Sequence, residues 1–301
     1  MKRILVIRHG AMGDFVLSFT PFAAIRAHHP DAEITLLTTR PFAELAEAAP
    51  WFDRVVVDAR PAWWNLPGLW RLRGQVAGFD FVYDLQTSGR SSRYFRLAGR
   101  PLWSGVAAGC SHPQTGPARA AMHTIERQRD QLRLAGIADF PAPDLRFLTG
   151  RATPKLPDRF ALLVPGAALH RPEKRWPAAL YGGLAAALVA RGMTPVIIGA
   201  GADQSLAAVI GAVCPGTIDL TGRTALLDLF AIATRAELAV GNDTGPMHIA
   251  AASGCRCIVL FSGASDPALT APRAPDGGWP AVLRALVLAD LSLDRVVAAV
   301  G

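Results

Sequence analysis

Val240-Gly-Asn-Asp-Thr-Gly-Pro-Met-His248 joins the apolar run Glu237 to Val240 to a helix that starts at Pro246. A strand that ends in glycine and polar residues and passes at once into a proline-initiated helix is the junction of an open α/β sheet, whose ligands sit beyond the carboxyl ends of the strands. The unpaired N–H groups and the positive end of the helix dipole favour an anion there. Thr244 adds a hydroxyl, Gly245 allows close approach, and Asp243 and His248, the latter a helical turn further on, make the set more polar than a capped turn requires.

The flanking sequence keeps the same rhythm. Phe160 to Val164, Pro195 to Ile198, Thr217 to Leu220 and Cys257 to Phe261 are further short β-rich runs, and helical stretches lie between them. The first half repeats the pattern with Arg3 to Arg8, Glu33 to Thr39, Arg54 to Asp58, Phe79 to Leu85 and Leu102 to Val106, including one helical segment from about Phe15 to His28. Alternation of this kind predicts parallel sheets built from βαβ units. Between the halves, Thr149-Gly-Arg-Ala-Thr-Pro-Lys-Leu-Pro-Asp158 has no apolar periodicity and reads as a linker. The expectation is two Rossmann-like, doubly wound domains, residues 1–150 and 151–301, with the last helix free to pack back on the first.

Composition narrows the classes. A chain of 301 residues with 51% hydrophobic and 18% charged content can bury a sizeable core, which excludes disorder and fibrous repeats. The opening apolar run is too short for a signal peptide, and the longest weakly polar stretch, Trp176 to Ala190, falls short of a membrane span. Cys110, Cys214, Cys255 and Cys257 form no CxxC pair, so neither a zinc site nor a disulfide framework is expected and a reducing cytoplasm fits. The formal charge is +7, and Gly89 to Arg133 holds eight arginines against Glu126 and Asp130, a balance that suits a polyanionic partner such as nucleic acid, phosphorylated lipid or an anionic membrane face.

Other strand ends carry candidates. Gly10-Ala-Met-Gly13-Asp14 follows the first run and sets a carboxylate at a helix mouth, where it can cap the helix or face a ligand. The preceding Arg8-His9-Gly10 looks like the opening of the histidine phosphatases, although Met12 stands where that family has Thr or Ser. Val164-Pro-Gly166 leads into a basic loop with Lys174 and Arg175 ahead of Pro177, and lysine is notable in a chain with only three among 31 basic residues. Gly199-Ala-Gly201-Ala-Asp203 is a turn that could admit a ribose or adenine, with Asp203 accepting from hydroxyls; it lacks the last glycine of a dinucleotide fingerprint. Arg60 to Arg73 holds Trp63, Trp64 and Trp70 with three arginines and no acid, which suits a water–lipid boundary, packing against the sheet, or stacking on nucleic acid.

Taken together these places resemble glycosyltransferase family nine, the ADP-heptose lipopolysaccharide heptosyltransferases. The resemblance runs through Met12-Gly13-Asp14 and Thr20-Pro21, Asp84-Leu85-Gln86, Pro165-Gly166-Ala167, Lys174-Arg175-Trp176-Pro177, Gly241 to His248, and Phe261 to Pro267, where Ser262 and Ala264 depart from the family pattern. It implies a GT-B fold with two domains facing across a cleft. It further implies that Asp14 is the general base toward an acceptor hydroxyl, and that the heptose moves with inversion from ADP-heptose to a lipopolysaccharide inner-core or lipid A acceptor. On the donor side stand Gly166, Ala167, Lys174, Asp203, Thr224, Asp243, Thr244, Gly245 and His248. Gly13, Gln86, Arg71, Arg73, Arg90 and Arg93 stand on the acceptor side.

No Asp-x-Asp triplet occurs, so the usual metal–diphosphate ligand pair is missing and neither metal nor cofactor is expected, the ADP-sugar being a co-substrate. The expected location is cytoplasmic, peripheral to the inner membrane, with no nucleic-acid partner. Transfer to a protein or another glycan, a histidine-type phosphatase, and a nucleotide-binding module without chemistry are the alternatives.

Overall fold

The computed structural model describes residues 1–148 and 153–301. It divides into two compact units, Met1–Phe147 and Leu148–Gly301. This division falls just ahead of the expected one at 150/151, which itself lies outside the described residues, as does the start of the expected linker.

In the first unit β1 (Arg3–Ile7), β2 (Glu33–Thr38), β3 (Arg54–Val57), β4 (Phe81–Asp84), β5 (Leu102–Gly105) and β6 (His112–Pro113) form one sheet in the order β3-β2-β1-β4-β5-β6. In the second, β7 (Phe160–Val164), β8 (Thr194–Ile197), β9 (Ile218–Asp219), β10 (Leu238–Asn242), β11 (Cys257–Phe261) and β12 (Ala281–Arg284) run in the order β12-β11-β10-β7-β8-β9. Read from its other edge, the second order is the first one again. Every pairing is parallel. The strand order therefore reverses between the first and fourth strands of each sheet, β1/β4 and β7/β10, and such a switch point opens a crevice at the carboxyl edge.

Central strands of a parallel sheet are covered on both faces, so they read as unbroken apolar runs. Ile4 to Ile7 and Phe160 to Val164 are buried accordingly. β6 and β12 escaped the sequence reading because one is two residues long and the other is an edge strand whose residues stay partly exposed. The expected helix from Phe15 to His28 is two helices, Met12–Val16 and Phe19–His28. The break falls at Ser18, whose hydroxyl donates to the Asp14 carbonyl at 2.7 Å. The closing helix, Leu293–Val300, falls in the second unit. Val296 and Val300 complete an apolar core there with Trp176, Leu184 and Leu188, which is where its hydrophobic face is satisfied.

Candidate functional site

In the first unit the switch point brings Arg8, Asp14 and Asp84 together. Asp14 lies in the first turn of Met12–Val16, with its side chain 40% exposed and Oδ1 3.5 Å from a terminal nitrogen of the buried Arg8. Arg8 also donates to the Leu85 carbonyl at 2.6 Å. Burial pulls the Arg8 guanidinium below its ordinary value, Asp14 opposes this, Arg127 adds to it, and Asp84 opposes it again. Gly13 is half-buried beside Asp14, and Gln86 reaches across from the end of β4 to accept the His9 N–H at 2.8 Å. Gln86 thus ties the end of β4 to the loop that leads into the helix of Asp14.

His9 does not stand as an accessible nucleophile. Its ring is buried, with Nε2 3.1 Å from Asp58 Oδ2. Asp58, just past the end of β3, accepts from the Tyr94 hydroxyl at 2.6 Å and from the Arg60 N–H at 2.7 Å. Burial works against its charge, but contacts from His9, Tyr94 and Arg60 outweigh this and hold the carboxyl below the usual range. The histidine-phosphatase reading therefore meets an imidazole held inside the fold.

The arginines on the acceptor side divide. Arg90 donates from Nε to the Tyr94 hydroxyl at 2.9 Å and from a terminal nitrogen to the Pro61 carbonyl, and Arg73 donates to the Leu97 carbonyl at 3.1 Å. These two guanidinium groups are engaged in joining segments of the fold. Arg90 and Arg93 both lie 5.1 Å from the Trp63 ring centroid. Arg71 and Arg93 are exposed.

In the second unit the switch point is organised by Asn242. Its Oδ1 accepts from the Trp176 N–H at 3.0 Å and the Tyr181 hydroxyl at 3.1 Å, and its Nδ2 donates to the Pro165 carbonyl at 2.7 Å. One amide thus pins both the loop after β7 and the entry to the helix Ala178–Ala190. Asp243, next in the chain, pairs with the Lys174 ammonium and accepts from the Ser265 hydroxyl at 2.7 Å. Thr244 is the N-cap of Gly245–Ala252, yet its side chain makes no capping hydrogen bond. The hydroxyl and the Gly245 N–H sit half-buried at the positive end of that helix beside a lysine, an arrangement able to bind a phosphate.

Two further donor-side side chains are buried. Asp203 is buried and accepts the Ala200 N–H at 2.9 Å, which closes its own turn. Gly166 and Gly199 exist for its sake, since a Cβ at Gly166 would stand 2.5 Å from Asp203 Oδ2 and one at Gly199 2.9 Å from it. His248 is buried within Gly245–Ala252. Thr224 is half-buried just before the helix Leu226–Arg235, and the Ala167 carbonyl accepts from Arg175 at 2.9 Å. Asn242, Asp58, Asp84 and Ser265 were missed as site builders. Asp58 and Asp84 stand at strand ends, the same signal that drew attention to Asp14.

Among the described residues no cluster of three or more His, Cys, Asp or Glu could hold a metal ion, and no helix is long and apolar enough to cross a membrane.

The family model for glycosyltransferase family 9 (heptosyltransferase) matches residues 70–277. The chain is 33% identical over 113 residues to lipooligosaccharide heptosyltransferase 2 of Haemophilus influenzae, which covers 36% of this chain and 32% of that relative. It is 23% identical over 289 residues to the lipopolysaccharide core heptosyltransferase OpsX of the same organism, covering 90% and 82%. Among solved structures, a glycosyl transferase of family 9 from Veillonella parvula superposes with a TM-score of 0.81 at 21% identity, covering 99% of this chain and 95% of that one. The E. coli heptosyltransferase WaaC with ADP gives 0.78 at 20% identity, covering 99% and 98%. These two likenesses are of fold, the GT-B type with two Rossmann-like domains.

Proposed function

This chain belongs to glycosyltransferase family 9, and from that premise we propose that it transfers heptose from ADP-heptose to an inner-core sugar of lipopolysaccharide, with inversion and without a metal. The observation that carries the reading is the pairing of two unlike switch points on one topology. One offers an exposed carboxylate, Asp14, beside a buried arginine, and the other offers a helix N-terminus beside Lys174. Solved relatives bound to ADP and to ADP-2-deoxy-2-fluoro heptose support an ADP-sugar as the donor.

In this mechanism Asp14 takes the proton of the acceptor hydroxyl, whose oxygen attacks the anomeric carbon from the face opposite the diphosphate. The glycosidic bond to ADP breaks as the new one forms. Negative charge then grows on the leaving diphosphate, where the Thr244 hydroxyl, the Gly245 N–H and Lys174 stabilise it; fixed donors aimed at developing charge lower the barrier. The missing Asp-x-Asp triplet supports a mechanism in which these groups act without a metal. A lipid-borne acceptor sets the reaction at the cytoplasmic face of the inner membrane.

Asp14→Asn tests the assignment. Transfer from ADP-heptose to heptose-deficient lipopolysaccharide should fall by about 10²- to 10⁴-fold, the usual share of positioned proton transfer, while calorimetric binding of ADP-heptose persists and a chelator leaves the wild-type rate unchanged. Equal rates for variant and wild type would remove Asp14 as the base, and failure to bind any ADP-sugar would remove the donor.

A further inference from the structure

We propose that the segment Arg60 to Val76 is a membrane-docking element whose outer face rests on an anionic lipid surface. The helix Leu66–Val76 already has an inner apolar face, for Leu72 and Val76 are buried in the first unit's core and Leu69 packs against it. It nonetheless carries a second apolar set outward. Trp64 is 85% exposed, Leu66 72% and Trp70 77%. Leu66 and Trp70 are four residues apart and so share one face of the helix, with Trp64 in the turn just before it. Large apolar side chains grouped in water on an element whose core contacts are already complete mark an interaction surface.

Charge identifies the occupant. From Ala59 to Phe79 the chain has no acidic residue, while Arg60, Arg71 and Arg73 lie within it. The neighbouring helix Gly89–Leu97 adds the exposed Arg93 and Arg96. Tryptophan is at home where an apolar ring can enter lipid and its N–H can stay near water, and arginines flanking such rings are drawn to anionic headgroups. The element is also preformed. Asn65 caps the helix by accepting the Gly68 N–H at 3.0 Å, Trp63 is held by Arg90 and Arg93, and Arg73 ties the helix to the Leu97 carbonyl. Docking therefore orders little that is not ordered already, which favours binding. A shallow groove beside Trp70, lined by Arg71, Arg73 and Gln75, has the chemistry for a headgroup phosphate.

The docking face rests on the proposed function only in that a lipid-borne acceptor gives the enzyme a reason to sit on lipid, and its test uses no substrate. The full chain is sedimented with phosphatidylcholine vesicles and with vesicles containing phosphatidylglycerol, and tryptophan emission is followed with brominated lipid as quencher. Wild type should bind the anionic vesicles at least tenfold more tightly, with quenching. The triple variant Trp64→Ser, Leu66→Ser, Trp70→Ser should lose at least tenfold, and Arg71→Glu a smaller factor that shrinks with salt. Unchanged thermal unfolding and unchanged ADP binding would show the triple variant to be folded. Indifference to lipid charge, or vesicle binding retained by the triple variant, would overturn the proposal. So would tighter binding of a single-stranded oligonucleotide that the same variant abolishes, since that would assign the face to nucleic acid.

Discussion

The fourth strand of each sheet ends in a fully buried polar residue, Asp84 in β4 and Asn242 in β10, and the two are treated differently. Asn242 has partners for both ends of its amide. Asp84 accepts the Thr87 N–H at 3.0 Å through Oδ1, while Oδ2 has no hydrogen-bond partner among the described residues. A neutral amide at a switch point builds a rigid cradle, and a carboxylate there keeps a titrating charge beneath the site. The same topology thus yields a cradle held by an amide in one unit and a buried titrating carboxylate in the other.

The contrast breaks first at Asn242. Asn242→Ala strands the Trp176 N–H and the Pro165 carbonyl inside the second unit, and Tyr181 keeps only its contact to the Val164 carbonyl. Several buried groups left unsatisfied at about 1–3 kcal/mol each predict a loss of about 4 kcal/mol. Gln86→Ala, which removes one half-buried bridge in the first unit, should cost about 1 kcal/mol. Urea unfolding of both variants measures the pair. Equal losses would mean that the two bridges do the same work.

This asymmetry also marks how far the sequence could be read. Strand rhythm was legible because central parallel strands must be apolar throughout, and strand ends pointed to Asp14, Lys174 and Asp243 to Gly245 because topology sends ligands there. Side-chain partnerships were not. Asn242 reaches Pro165 across 77 residues of sequence and Asp58 reaches Tyr94 across 36, separations that leave no local signature. Asp203 shows the related difficulty that a carboxylate in a glycine turn can serve a ligand or its own backbone with the same local sequence.

At Asp84 the expected effect is smaller and depends on pH. Burial pushes its carboxyl up to about 6, against the opposing pull of Ser91, Thr87 and His9. The folded chain therefore keeps a proton there that the unfolded chain releases near 4, so the wild type loses stability as pH rises from about 4 through 6, amounting to about 3 kcal/mol by pH 7. Asp84→Asn keeps an acceptor for Thr87 and has no charge to bury. The variant should match the wild type near pH 4 and exceed it by up to about 3 kcal/mol at pH 7, read as the difference between their urea midpoints so that other carboxylates cancel. A constant difference across that range would mean that the charge is compensated and that the two strand ends are alike after all.

The finest distinction concerns what Asp243 does beside Lys174. If the carboxylate orders the lysine and the lysine meets the diphosphate, Lys174→Met should weaken ADP binding by about tenfold, near 1.4 kcal/mol, and should flatten its salt dependence. Asp243→Asn should cost less than about threefold, because the amide oxygen can still accept from Ser265 and the lysine charge is untouched. Titration calorimetry with ADP at low and high salt separates the two. A larger loss in Asp243→Asn than in Lys174→Met, seen with ADP-heptose and absent with ADP alone, would transfer the carboxylate from ordering the lysine to holding a sugar hydroxyl. The cradle of the second unit would then carry specificity in its charge as well as rigidity in its amide, and the difference from the first unit would narrow to one unsatisfied oxygen on Asp84.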